Sequence, residues 1–420
     1  MKKFIQFDQI SKDTLINVGG TALIGLIGLV FYILVARNLG PEQFGLFTVA
    51  ASILVISADI FDFGSNSGIV KFVAEALVEK NYQKAAAIAK FAFVFKLVVG
   101  LALMVVGFIV ARPLAINIFH QKELVSLLHF AFFGVIIILF LGFFTSILQA
   151  FKRFFDAVLI NLTANIVRLI VVAVLLGTGF VNNQTAMAAF AFSPIVGVLA
   201  GFLKSPLKLS PNAINRGLAL KFLGFNKWIA AGFILAAIQV RLPSFLLIRL
   251  SDSTQTGLFS AASTLILFAP QVATALSVTF APSFSQIAQI EAAKQFFQKA
   301  ILVSLSFALL SLILIPLAST VLNLTVGSQF LKATSPFQIL AISAVFLILS
   351  VPQTTAIIYY FSKPQLYAAI SAVQLIIIFS LNLLLIPDFG ATGSAVAVLL
   401  ATITGFSITT IYLLLKWQKL

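Results

Sequence analysis

Cysteine is absent from this 420-residue chain, so neither a disulfide framework nor a thiolate metal site can form. Histidine occurs only at His120 and His129, without the neighbours a metal set requires. Charged residues make up just 9% of the chain, too little polar surface to cover a soluble globule of this length. Acidic side chains are scarcer still, 12 against 27 Lys and Arg, and the loops are short. That argues against a membrane-embedded transferase or ligase, which needs acid/base groups outside the bilayer. Strict alternation of apolar and polar residues is missing too, which excludes a β-barrel.

What is present is hydrophobic. Apolar residues account for 61% of the chain, and mean hydropathy is +1.12. About 20 helical residues cross a hydrocarbon core, and the apolar runs reach that length. They predict twelve spans at roughly 14–36, 44–66, 88–111, 125–149, 157–179, 185–203, 222–249, 256–284, 298–320, 334–360, 365–386 and 391–415. The first run is too long for a removable signal peptide and reads as span one.

The chain repeats itself. At one constant offset, Arg37, Gln43, Gly45, Leu46, Phe47 and Ala50 recur as Arg249, Gln255, Gly257, Leu258, Phe259 and Ala262. Six spans per copy predict an all-α polytopic protein of two parallel six-helix lobes, a transporter architecture. The expected organisation is lobe one at 1–204, a Pro-containing linker at 205–221 and lobe two at 222–420. Two amphipathic segments, 70–89 and 287–300, are expected to lie along the interface.

Lysine and arginine concentrate at the N-terminus, the C-terminus and the even-numbered loops, as at Lys80, Lys84, Lys152, Arg153 and Lys204. By the positive-inside rule both termini are expected in the cytoplasm. The +15 net charge therefore reflects topology; a nucleic-acid partner would need one basic domain.

Few ionisable residues fall inside the spans, and such residues face a cavity or one another. Arg168 and Arg241 lie nearest mid-membrane and are expected to line a cationic, substrate-binding cavity with Lys96. Lys96 sits about 12 Å into its span, so snorkelling to the interface is an equal option. Gln149, Asn165 and Gln239 are candidate uncharged cavity residues. Asp59 and Asp62 share one face of span two; they serve ion coupling, or they lock helices by pairing with Lys71 or Lys96. Pro243, Pro270, Pro282 and Pro352 mark kinks or hinges in the second half. A surplus of positive charge suits an anionic substrate, and nothing calls for a cofactor or a metal.

Three motifs carry a family resemblance: Ala36-Arg37-Asn38-Leu39-Gly40-Pro41-Glu42-Gln43-Phe44-Gly45-Leu46-Phe47, then Asp62-Phe63-Gly64, then Asn382 through Ile386-Pro387-Asp388-Phe389-Gly390-Ala391-Thr392-Gly393-Ser394-Ala395. They resemble the polysaccharide-transport branch of the multidrug/oligosaccharidyl-lipid/polysaccharide flippases, which includes the O-antigen-type oligosaccharide flippases. The resemblance implies a V-shaped pair of lobes that alternates between inward-facing and outward-facing states. It implies a non-enzymatic protein of the cell membrane that moves a polyprenyl-diphosphate-linked oligosaccharide from the cytoplasmic to the outer leaflet. The partners it implies are that lipid-linked sugar and membrane lipid, with polysaccharide polymerase machinery as a further candidate. Arg37, Asp62, Gly64 and Asn382 are carried over as motif positions, more structural than substrate-binding. Relatives place an Asp-Arg pair where this chain has Pro243 and Ser244, so no acidic residue is carried over to span seven. The alternative is a drug or metabolite exporter of the same superfamily, which would need an acidic cavity.

Overall fold

The computed structural model describes residues 2–207, 216–287 and 289–418. No strand occurs among them. The helices are α1 (Lys2–Phe61), α2 (Ser65–Val78), α3 (Tyr82–Pro113), α4 (Leu124–Ala150), α5 (Phe154–Thr178), α6 (Asn183–Phe192) and α7 (Pro194–Lys204), followed by α8 (Arg216–Leu250), α9 (Ser253–Leu265), α10 (Phe268–Gln286), α11 (Ile290–Ile313), α12 (Ala318–Thr325), α13 (Thr334–Thr355) and α14 (Pro364–Gln418). Nine helical segments among the described residues are long and apolar enough to cross a membrane.

Sequence punctuation explains the breaks. α1 is two helices joined at Gly40, whose φ of 75° and ψ of 170° suit glycine alone, with Pro41 opening the second helix. α14 breaks in the same manner at Gly390, at φ 50° and ψ −129°, three residues after Pro387. The long helices thus conceal two turns. Other starts are capped by side chains that take up free backbone N–H groups. Asn81 accepts from Lys84 N at 2.9 Å ahead of α3, and Asp252 accepts from Gln255 N at 2.7 Å ahead of α9. Asn182 and Thr185 form a reciprocal capping box at α6.

The two amphipathic segments fold differently from expectation. The first is split by a turn, with α2 ending at Val78 and α3 starting at Tyr82. From Ile290 the second is simply the start of α11, with no separate helix of its own among the described residues. The Asn81 cap, which has no equivalent ahead of α11, restarts the helix in the first copy alone.

The chain divides into two compact units. The first comprises Met1–Leu39 and Leu46–Arg241, the second Gly40–Gly45 and Leu242–Leu420. The division falls within α8, beyond the expected linker, of which 208–215 lie outside the described residues. In the first unit a core of Ile69, Phe72, Ile88, Phe143, Phe144, Ile147 and Phe222 ties α2, α3, α4 and α8 together. In the second, Phe330, Phe337, Ala341, Ile348 and Ile386 are buried. There the repeated glycines meet, since a Cβ on Gly45 would overlap the Ser253 carbonyl and one on Gly257 the Pro41 carbonyl. Outward faces stay apolar, as along α3 at Val98, Leu101, Val105, Phe108 and Ile109. Apolar surface on that scale is what a lipid-facing helix presents.

Candidate functional site

Two polar clusters form inside the first unit, and the residues expected to act together divide between them. The first is built on Arg168, midway along α5. Its guanidinium stands 4.3 Å from the centroid of the Phe190 ring and 5.5 Å from that of Phe31. Nε donates to Ser193 Oγ at 3.2 Å, and Nη1 donates to Asn165 Oδ1 at 3.3 Å. Aromatic faces hold a guanidinium without neutralising it. Arg241, on α8, donates from Nη1 to Ser52 Oγ at 3.0 Å. Tyr32 lies within electrostatic range of both arginines, and Asp59 within range of Arg241. Tyr32 is itself packed edge-on to Phe47 and Phe190, with ring centroids 6.0 and 6.1 Å away. Two cations thus stand against one carboxylate, which is exposed.

The second cluster is a closed clasp. Lys96 is 0% exposed. Its Nζ pairs with Asp62 Oδ1 and donates to Asn66 Oδ1 at 3.1 Å. Asp62 Oδ1 also accepts from Ser65 Oγ at 2.9 Å, while Oδ2 accepts from Asn66 N at 3.1 Å, capping α2. Phe63 and Gly64 make the turn between these helices with φ of 49° and 68°. Lys96 thus stands neither as a free cavity cation nor as a snorkelling side chain: it makes the helix-locking pair with Asp62, the other option for that carboxylate, joining α3 to the start of α2. Between the clusters lies a cavity of about 310 Å³ lined by Asp59, Asp62, Asn66, Ser67 and Asn161.

Sequence comparison decides the family. The family described as polysaccharide biosynthesis protein matches residues 10–288. The chain belongs to this family. A Shigella flexneri protein provisionally assigned as an O-antigen transporter is 22% identical over 399 residues, covering 92% of this chain and 94% of that one. In fold, the chain is similar to an inward-facing multidrug resistance MATE transporter of the MOP superfamily, with TM-score 0.76, 14% identity, and 94% of this chain and 96% of that chain covered. It is also similar to the lipid II flippase MurJ in an inward closed conformation, with TM-score 0.74, 16% identity, and 94% and 86% covered. Family and helices together make this a multi-pass membrane protein of polysaccharide biosynthesis.

The family motifs find their places in this geometry. Asp62 and Gly64 shape the α1–α2 turn. Arg37 is exposed near the Gly40 break. Asn382, in the second unit, holds the α14 kink: its Oδ1 accepts from Ser394 Oγ at 2.7 Å and its Nδ2 donates to Ile378 O at 2.6 Å. Gln255, one of the repeated residues, accepts from Ala391 N at 3.0 Å beside Gly390. Of the uncharged candidates, Asn165 joins the Arg168 cluster. Gln149 sits in the last turn of α4, level with the start of α5 and so about 20 Å along the helix from Arg168. Gln239 is two residues before Arg241, a spacing that sends the two side chains to nearly opposite faces of α8.

Sequence reasoning missed Tyr32, Ser52, Ser193 and Asn66. One signal was available for Ser52: it lies seven residues before Asp59, two turns up the same helical face. Nothing in the pattern marks Tyr32 or Ser193, because contacts between α1, α5 and α6 are not encoded by spacing along any one of them.

Proposed function

We propose that this protein is a flippase that carries a polyprenyl-diphosphate-linked oligosaccharide from the cytoplasmic to the outer leaflet by alternating access. The observation that carries this reading is the pair Arg168 and Arg241, held in one polar cluster with a single opposing carboxylate among the described residues, Asp59. Guanidinium groups with unspent donors at mid-membrane suit the oxygens of a diphosphate. Tyr32, Asn165 and Ser52 supply neutral hydrogen-bonding groups of the kind that select sugar hydroxyls. The Shigella relative's assignment and the MurJ likeness agree with a lipid-linked substrate.

The full architecture follows from the same reading. Splitting α1 at Gly40 and α14 at Gly390, and adding α8 to the nine candidate spans, gives twelve. They fall into two parallel six-span lobes with both termini cytoplasmic. Asp62 is consumed by Lys96, Ser65 and Asn66, so Asp59 is the residue proposed for ion coupling. An inside-negative potential acts on the cationic site as well, with about 2.3 kcal/mol per charge per 100 mV.

Thermal unfolding of the purified protein tests the assignment. A ligand that binds only the folded state raises the unfolding temperature with concentration. A polyprenyl-diphosphate oligosaccharide is expected to stabilise the parent, and Arg168→Ala and Arg241→Ala are expected to lose that response. Stabilisation by a lipophilic cationic drug alone would replace the flippase with an exporter working through Asp59.

A further inference from the structure

One pocket of the first unit is mainly apolar. It is a cavity of about 710 Å³ between α3, α4 and α7, walled by Phe93, Phe140, Phe143, Phe144 and Phe202 and reaching Ser205. Phe202 and Leu199 on its rim are 70% and 58% exposed, so it opens towards the surrounding lipid. Directly beside Ser205 stands an ion cluster that the transport mechanism does not use. Lys204 Nζ pairs with Asp156 Oδ1 at 2.7 Å, and Arg153 pairs with Asp156 Oδ2 at 2.8 Å. Arg153 Nη1 also donates to Lys204 O at 2.8 Å, tying the two basic residues together one position before Ser205. Two cations share one carboxylate, and their side chains remain 37% and 39% exposed. Arg153 directs Nε, Nη1 and Nη2 into the cluster, whereas the Lys204 ammonium, with three donors, is held there by Asp156 Oδ1 alone.

The second unit has an aromatic-walled pocket of its own, on different helix ends. Gln298-Lys299-Ala300 at the start of α11 repeats Gln83-Lys84-Ala85 at the start of α3. Against α11, the end of α14 forms a pocket of about 540 Å³ lined by Lys294, Phe297, Gln298 and Trp417. The Trp417 indole Nε1 is buried there without a hydrogen-bond partner. There the cation is Lys294, at the start of α11, a different place from that of Lys204 after α7.

We infer that the α3–α4–α7 pocket binds an anionic phospholipid of the cation-rich leaflet, with one acyl chain among the phenylalanines and the phosphate at Lys204. An empty apolar cavity in contact with hydrocarbon fills with hydrocarbon, and the neighbouring positive charge selects which lipid supplies it. The inference rests on the membrane setting and not on the transported substrate.

The test is thermal unfolding of the delipidated full chain in detergent, titrated with dioleoylphosphatidylglycerol, dioleoylphosphatidylcholine or dihexanoylphosphatidylglycerol. The long-chain anionic lipid is expected to stabilise the protein more strongly than either of the others. Lys204→Gln should weaken that apparent affinity roughly fivefold, the effect of one surface cation. Asp156→Asn breaks the same ion cluster but adds net positive charge, so it should preserve or strengthen the response. Leu199→Trp with Ser205→Trp, which crowds the pocket and leaves the cations in place, should diminish it. Equal responses to phosphatidylglycerol and phosphatidylcholine, or to long and short chains, would overturn the inference. So would weakening by Asp156→Asn, which would reduce the cluster to a structural clasp. A response to polyprenyl phosphate and none to phosphatidylglycerol would assign the pocket to the tail of the transported lipid, overturning it as well. The Arg168 and Arg241 titrations read a different ligand, so the flippase reading stands or falls separately.

Discussion

Lys96 and Asp62 show how burial converts a charge from a binding group into a fastener. Removing one partner leaves the other uncompensated in a low-dielectric interior, a cost of about 3–5 kcal/mol. Lys96→Met is therefore expected to lower the unfolding temperature sharply. The double variant Lys96→Met with Asp62→Asn should recover much of that loss, since no buried charge remains and the substituted amide can still accept from the α2 backbone. A double-mutant cycle by thermal unfolding measures the coupling; additive losses would dismiss it. Arg168 is the opposite case. It is half-buried but faces aromatic rings in place of a carboxylate, so its charge stays available. The sequence sets Arg168 nearest mid-membrane and leaves Lys96 between cavity, interface and a pair with an aspartate, because the choice lies in what the neighbouring helices present. For Lys96 the neighbour is Asp62, 34 positions away in the chain. For Arg168 it is Phe190, across the α5–α6 turn.

Among the elements, the breaks at Gly40 and Gly390 hold the repeated geometry in place. Both residues adopt backbone angles that cost a side chain of order 1–3 kcal/mol, and a Cβ on Gly390 would also press on the Gln255 amide. Gly390→Ala should destabilise by about that amount. Gln255→Ala, which removes the bond to Ala391 N, should cost about 1 kcal/mol. Combining the two should cost less than the sum, because the shorter side chain makes room for the new methyl; calorimetry of the three variants checks this. The apolar runs made most spans readable in advance, and the gaps between them fall at the turns within α1 and α14. The interface helices were harder. Amphipathic periodicity continues through Tyr82; Lys80 in the left-handed region, with Asn81 N donating to Ala76 O, stops one helix, and the Asn81 side chain closing on Lys84 N starts the next. A cap is one hydrogen bond, too small a feature to show in a pattern averaged over several turns.

For the molecule as a whole, the absence of cysteine makes topology directly measurable. Single cysteines placed at Tyr82 and Phe180, exposed positions at opposite ends of the first unit's spans, can be labelled in intact cells with a membrane-impermeant maleimide. The proposed orientation expects Phe180→Cys to react and Tyr82→Cys to react only after permeabilisation; the reverse pattern would invert the topology. The identities at one constant offset were legible in the sequence, whereas the boundary between compact units was not. Composition points to the Pro-containing stretch near 205–221, but contacts carry the first unit on to Arg241 and lend Gly40–Gly45 to the second. That loan bears on ancestry. The segment from the first copy packs on Ser253 and Gly257 of the second, glycine against glycine. A half-length ancestor bearing one such segment would have lacked the surface that covers it unless another molecule of itself supplied it. Gene fusion would then have made permanent an association that began as a homodimer.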